Sequence, residues 1–543
     1  MQVKYLTYLQ KSVIISFPGS DELIVSIMDV PLYLKDVDDA LPHIGEFGAF
    51  QMRIQVILSL IKIPQSYQIL VMYFTALNPS WKYKSDTHDG ILSNKIFPST
   101  NMTRCFLERE LWKYATLKHY SIVTTYDLAC GKEWMIHLCT SIFFVGWGIG
   151  SLLFGWICDK YGRKRVLLPT LMIFLTISAL SSLSPNVELL IVCRLLIGTL
   201  CAGITINLTV IASEFVGNRH RPFATISIFL MYSISHVLLA VQAMFVSNWR
   251  HLFLIISLPY IPLVLIWSWL PESARWLHSK NKNKEAVVIL KAIASVNKKE
   301  LPDKVVLEPL TDNSFRKSTS IRGLFHHFSA ACVTVILGFG SFAINVGYYG
   351  MSLAASDFGG HNIYINFILI SLVEIPALPV AIYSSMKIGR KPTTAYSLII
   401  GGVFCACVSF VPKNHSWIYI RLTVAMIGKF FVSVSFDVAY TWCAELYPTE
   451  LRGMGLGCKL VTGRVGAASA PWIAVALRSI NKRIPFVVMG CIGILGGVAM
   501  LWLPETKDLS ENEIRRRILS GNQKIKQHDE YDDEANLQLL QHH

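Results

Sequence analysis

Two short basic loops, one in each half of the chain, constrain this sequence most. The first reads Gly155-Trp-Ile-Cys-Asp159-Lys-Tyr-Gly162-Arg163-Lys164-Arg165 and lies between two long apolar runs. Glycine allows a sharp reversal there. Basic residues hold such a loop on the cytoplasmic face of a membrane. A shorter copy, Lys387-Ile-Gly389-Arg390-Lys391, falls at the matching place in the second half. Basic residues flank many membrane helices, so one loop alone says little. Two at corresponding positions of two apolar halves predict a duplicated membrane chain.

Composition agrees. Of 543 residues, 52% are hydrophobic and 16% charged, with a mean hydropathy of +0.44. A soluble chain carries roughly 25% charge. Few charges and repeated apolar runs of about 20 residues predict a polytopic helical membrane protein. The net charge of +14 sits mainly in loops, as membrane orientation requires. No pattern of RNA- or DNA-binding modules accompanies it, so nucleic acid is not an expected partner. No signal peptide is read at the N-terminus: Val13–Phe17 is short and Pro18-Gly19 follows. Most of the 12 cysteines lie in apolar runs, as small buried thiols do.

The basic loop resembles that between the second and third helices of the major facilitator superfamily. Twelve transmembrane helices follow, in two six-helix halves of an all-α fold. The first half is 53–270, with spans near Arg53–Ala76, Met135–Cys158, Val166–Leu183, Val187–Ala212, Pro222–Val246 and Leu252–Leu270. The second is 329–503, with spans near Ala330–Leu353, Ile363–Met386, Thr393–Val411, Trp417–Trp442, Gly455–Leu477 and Phe486–Leu503. Residues 1–52, 271–328 and 504–543 are expected in the cytoplasm, and a large loop, 77–133, outside. No role is read from residues 1–35. Gly146, Gly148, Gly150 and Gly155 are read as small residues that let helices approach closely.

Within that superfamily the chain resembles the organic ion transporters of solute carrier family 22. The stretch Asp36–Gln51 is similar to that family's lead-in, and His119–Trp134 to the close of its external domain. Val346–Leu353, Leu372–Ala377, Gly428-Lys429 and Glu445–Gly453 match further. Pro271-Glu272-Ser-Ala-Arg275-Trp-Leu277 resembles a motif that closes helix 6 in both sugar porters and organic ion transporters. The sequons at Asn101 and Asn414 fall in loops that this topology places outside, where glycans are added. Cys105 and Cys130 share that oxidising side and are expected to form a disulfide.

The halves also repeat a charge pattern. Arg194 precedes Glu214…Arg219, and Arg421 precedes Glu445…Arg452. With Asp159, Gly162, Arg163, Glu272, Arg275, Gly389 and Arg390, these ends are read as gate ion pairs. The plainer alternative is charges that snorkel from helix ends. Duplicated halves place a substrate site at mid-membrane.

Charges inside the spans are the remaining chemistry: Lys62, Glu374, Lys429, Asp437 and Arg464. Each carries an insertion penalty of roughly 2.5–3.5 kcal/mol, so it faces a cavity or a partner. The resemblance implies that Arg464 holds a position where anion and carnitine-type members carry arginine, and that Glu374 lies in a motif of cation and carnitine members. The pair therefore suggests a zwitterion-capable site, with Arg464 on an anionic group and Glu374 on a cationic one. The alternative is a structural network with Lys429. Tyr348 and Tyr349 could stack on a quaternary amine or simply pack.

The function expected is alternating-access transport of small organic ions: cations, zwitterions such as carnitine, or anions. Sodium and the proton are the candidate coupling ions, and the plasma membrane the expected location. A sugar-porter-like carrier and a non-transporting receptor or scaffold are the other readings. No P-loop, H-E-x-x-H or G-x-S-x-G motif occurs, so no enzyme, metal or cofactor is expected.

Overall fold

In the computed structural model, the described residues are 6–9, 12–15, 23–26, 32–34, 36–84, 97, 105–217, 220–299, 301–302, 305–308, 328–358, 362–412, 415–447, 449–481 and 483–507. Asn101, Arg219 and Asn414 lie outside them, as does the side chain of Arg452. Among the described residues helices dominate, and ten are long and apolar enough to cross a membrane.

The first five spans are Ala49–Thr75, Trp134–Tyr161, Arg163–Leu180, Val187–Glu214 and Arg221–Phe245. The sixth is not the continuous helix expected over Leu252–Leu270. It is α-helical over Trp249–Ile255 and then 3-10 over Leu258–Ser268. Pro259 and Pro262 supply no N–H to an α-helical ladder, which accounts for the change. The seventh span is Phe328–Leu353, and the ninth to twelfth are Arg390–Val408, Ile418–Leu446, Thr449–Ala474 and Ile484–Met500.

The eighth is split into Ile363–Leu372 and Glu374–Lys387. Pro376 cannot donate to the Leu372 carbonyl, so the ladder lapses at Val373. Glu374 stands at that break.

The two sets of six are built alike. The second span packs on the fourth, the ninth on the twelfth, and the seventh on the eleventh. Backbones nearly touch where glycine faces them. A Cβ on Gly146, Gly150 or Gly198 would strike main-chain atoms of the partner helix, as would one on Gly402 or Gly490. Gly148 and Gly155 do not serve this purpose: nothing lies within 4 Å of a Cβ at Gly155. Arg194 and Arg421 are also equivalent. Both are buried, donate to backbone carbonyls, and lie over a phenyl ring, Phe143 at 4.4 Å and Phe486 at 5.5 Å.

Outside the spans, the described residues form several short helices and strands. A helix over Val37–Ile44, capped by Asp36, packs on helices Ala274–Ser279 and Asn283–Val296. Strand Leu32–Leu34 pairs in parallel with Val305–Leu307. Between the first two spans, Trp81–Tyr83 pairs antiparallel with Trp112–Tyr114 around a Trp81–Trp112 core. Cys105 and Cys130 are disulfide-bonded beside it.

Candidate functional site

Polar residues of the first span recur at three- and four-residue spacing: Gln51, Gln55, Ser59, Lys62 and Ser66. All are buried, so they form one inward stripe. Lys62 is 4% exposed, and its ammonium lies 5.2 Å from the ring centroid of Tyr232 on the fifth span.

Glu374 and Lys429 meet. The Lys429 ammonium is 2.9 Å from Glu374 Oε1 and donates to the Tyr348 carbonyl and Ser352 Oγ, each at 2.9 Å. It also lies 3.3 Å from the Tyr348 ring centroid. Ser233 Oγ donates to the other carboxylate oxygen at 3.0 Å. Of the two pairings open to Glu374, the structure forms the one with Lys429. Tyr348 stacks on Phe436, their centroids 4.6 Å apart, and so is packed.

Arg464 is buried on the eleventh span. Its Nη1 donates to the Tyr349 hydroxyl at 3.3 Å, and its guanidinium lies 3.9 Å from the Trp147 ring centroid. Tyr349 in turn packs on Phe144 at 4.7 Å, so an aromatic wall from both sets of helices surrounds this cation. One residue absent from the sequence reading joins it. Lys459, 4% exposed, sits 3.3 Å from the Tyr440 ring centroid. Its position five residues before Arg464 in a span was the available signal.

Among the described residues, Lys62, Lys459 and Arg464 have no carboxylate partner in an ion pair. Each rests instead on an aromatic face, which attracts a cation but does not neutralise it. Their charges act on one another, Lys62 with Arg464 and Arg464 with Lys459. Four cations thus face two carboxylates, Glu374 and Asp437. These two line a cleft with Phe229, Tyr232, Ser233, Tyr348, Leu378, Ser433 and Phe436. Its free volume is about 20 Å³, room for a water and no more.

The basic loops form a second, duplicated site. Gly162 and Gly389 turn with φ of +103° and +121°. At the first loop, the backbone N–H groups of Arg163 and Lys164 donate to Glu272 Oε1 at 2.8 and 3.1 Å. Arg163 pairs with Glu214 at 3.1 Å and Asp159 at 3.2 Å. At the second, Arg390 and Lys391 N–H donate to Glu505 at 3.0 Å each, and Arg390 pairs with Glu445 at 3.0 Å. Arg275 donates to the Ser213 and Val216 carbonyls and pairs with Asp38. These pairs lie within one set of six helices, not between the two. Glu505 was overlooked in sequence; Pro504-Glu505-Thr506 repeating Pro271-Glu272-Ser273 was the signal.

Besides the central contacts, the two sets meet at the disulfide-bearing end. Ser141 Oγ donates to the Ala468 carbonyl at 2.6 Å, and the His137 and Trp472 ring centroids are 5.5 Å apart. Phe74 stacks on Tyr364 at 5.5 Å, and Tyr73 meets Phe367 at 4.8 Å.

Residues 55–517 match the family model described as sugar (and other) transporter. Among relatives, the solute carrier family 22 member 15-like protein of Xenopus tropicalis is 31% identical over 475 residues. That alignment covers 87% of this chain and 94% of the relative. Organic cation/carnitine transporter 2 of Homo sapiens is 29% identical over 517 residues, covering 87% and 92%. Among solved structures, the E. coli xylose transporter XylE in an inward open conformation superposes with a TM-score of 0.58 at 14% identity. It covers 86% of this chain and 99% of XylE. The proton:xylose symporter XylE bound to 6-bromo-6-deoxy-D-glucose gives 0.59 at 15% identity, covering 87% and 99%.

Proposed function

The chain belongs to solute carrier family 22 of the sugar (and other) transporters, a family of multi-pass membrane carriers, and from that membership we propose that it moves small organic ions bearing a negatively charged group. The observation that carries this reading is the charge imbalance at the centre. Buried cations without counter-ions are expensive in a membrane, and Lys62, Lys459 and Arg464 have none among the described residues. Glu374 is occupied by Lys429 and Ser233. A substrate carboxylate or sulfonate would supply the missing charge. Arg464 and Lys62 would hold it, with Tyr349 and Trp147 shaping the wall. A carnitine-like zwitterion fits as well, its quaternary amine against Asp437. A neutral sugar would leave the imbalance standing.

Transport would proceed by alternating access. We place the basic loops, with residues 1–52, 271–328 and 504–543, in the cytoplasm by the positive-inside rule. The loop 77–133 then lies outside, with Asn101 and Asn414 as glycan acceptors, and the plasma membrane is the fitting location. In this orientation the two sets of helices close against each other on the outside. The Gly162 and Gly389 loops would stiffen each set at its inner end while the two rock apart. Sodium or a proton would be the coupling ion.

Uptake into proteoliposomes tests this. Benzenesulfonate, L-carnitine and choline represent an anion, a zwitterion and a cation. The first two are expected to enter and choline to be excluded. Arg464→Asp should shift preference toward choline. An unchanged order among the three would remove Arg464 from the site, and choline uptake by the wild type without the others would overturn the reading.

A further inference from the structure

His236 is fully buried on the fifth span, one turn beyond Tyr232 and Ser233, and among the described residues neither ring nitrogen makes a well-formed hydrogen bond. Buried polar groups are nearly always partnered, so such an exception calls for an explanation. Its ring centroid lies 4.4 Å from that of Tyr232, which also carries the Lys62 ammonium on its face. Its surroundings are ionic from three sides. Lys62 faces it from the first span, Glu374 from the eighth and Lys429 from the tenth. The Ser66 backbone lies alongside as a weak, poorly aligned hydrogen-bond partner.

Histidine is the side chain whose ordinary titration range spans pH 5–8. A neutral imidazole here has a free lone pair and nothing to accept. Two lysines oppose a further positive charge at that spot, and one carboxylate favours it. An anionic group seated at Lys62 and Arg464 would cancel the opposition. Proton and anion would then each strengthen the other's binding, and that coupling is reciprocal by necessity. The fifth span also packs against the eighth across the seam between the two sets of helices, so rocking would change what surrounds the ring.

We propose that His236 is the proton-binding site that couples this carrier's anionic or zwitterionic substrate to proton movement, one proton per turnover. The inference rests on the reading that the substrate brings negative charge. The proton joins the free ring lone pair from the aqueous side then open, forming an N–H bond. It leaves by breaking that bond on the opposite side, and no electrons are exchanged.

The test uses the full chain in proteoliposomes, with the membrane potential held at zero and benzenesulfonate and L-carnitine as probes. Both stay ionised between pH 6 and 8, so a proton effect must come from the protein. The wild type should accumulate the probe about tenfold per unit of inward pH gradient, with entrapped pyranine reporting one proton per probe. His236→Gln should exchange probe for probe, at a reduced rate, with gradient-driven accumulation lost. His236→Arg, a permanent charge, should bind the probe with no dependence on pH. Binding of neither probe to the wild type would overturn the charge reading and this inference with it. Probe transport that ignores the gradient in the wild type, or survives with its gradient response in His236→Gln, would overturn the proton assignment alone.

Discussion

The carboxylate of Glu505 stands 2.6 Å from the point that a Cβ on Gly389 would occupy. Glu272 stands in the same relation to Gly162, at 2.5 Å. Each glycine has positive φ, and each acid accepts from the two N–H groups that follow its glycine. The acid comes from the far end of the same six-helix set. The turn and the acid's seat are therefore one device, used twice.

Gly389→Ala should consequently fail on two counts. A non-glycine residue at positive φ is disfavoured by roughly 1–2 kcal/mol, and the new methyl displaces Glu505. Loss of several degrees in melting temperature is expected in detergent, followed by size-exclusion fluorescence. Glu505→Gln keeps the shape and one acceptor, and should lose less. Equal stability of Gly389→Ala and wild type would refute the arrangement.

The Glu374–Lys429 pair should behave as a buried unit. Removing one partner strands the other, at about 3–5 kcal/mol. Glu374→Gln and Lys429→Met should each destabilise strongly, and the double variant should regain much of the loss. A double-mutant cycle on thermal unfolding reads the coupling. Additive losses would mean the two groups do not depend on each other.

Alternation requires Ser141 and Ala468 to separate. Ser141→Cys with Ala468→Cys, bridged by a short thiol-reactive linker, should arrest transport while each single variant remains active. Cleaving a reducible linker should restore uptake. Undiminished transport in the bridged protein would exclude opening at this contact.

The loop between the first two spans should weaken in acid. Partial burial works to raise the pKa of Asp127, but hydrogen bonds from Arg109 at 2.9 Å and Tyr114 at 2.8 Å prevail and hold it below the usual carboxylate range. A depressed carboxylate stabilises the fold above its unfolded pKa, about 3.9, and that contribution fades as pH falls through the folded value. Proteolysis of the loop should accelerate from pH 5 toward pH 3 in the wild type. Asp127→Asn should be equally susceptible across that range; an identical profile in both would discount the residue.

The sequence alone determined where most spans run, their duplication and the turns at Gly162 and Gly389. Hydrophobicity and glycine's freedom act within a few neighbouring residues, so they can be read in order along the chain. It also marked Lys62, Glu374, Lys429 and Arg464, because an ionisable group in an apolar run is conspicuous wherever it points. Only the tertiary structure decided that Lys429 claims Glu374 while Arg464 keeps to Tyr349 and Trp147. Only it showed Glu505 beneath Gly389, and His236 without a well-formed hydrogen bond among the described residues. Which charges cancel depends on the depth and rotation of helices far apart in the chain, and those are set by packing.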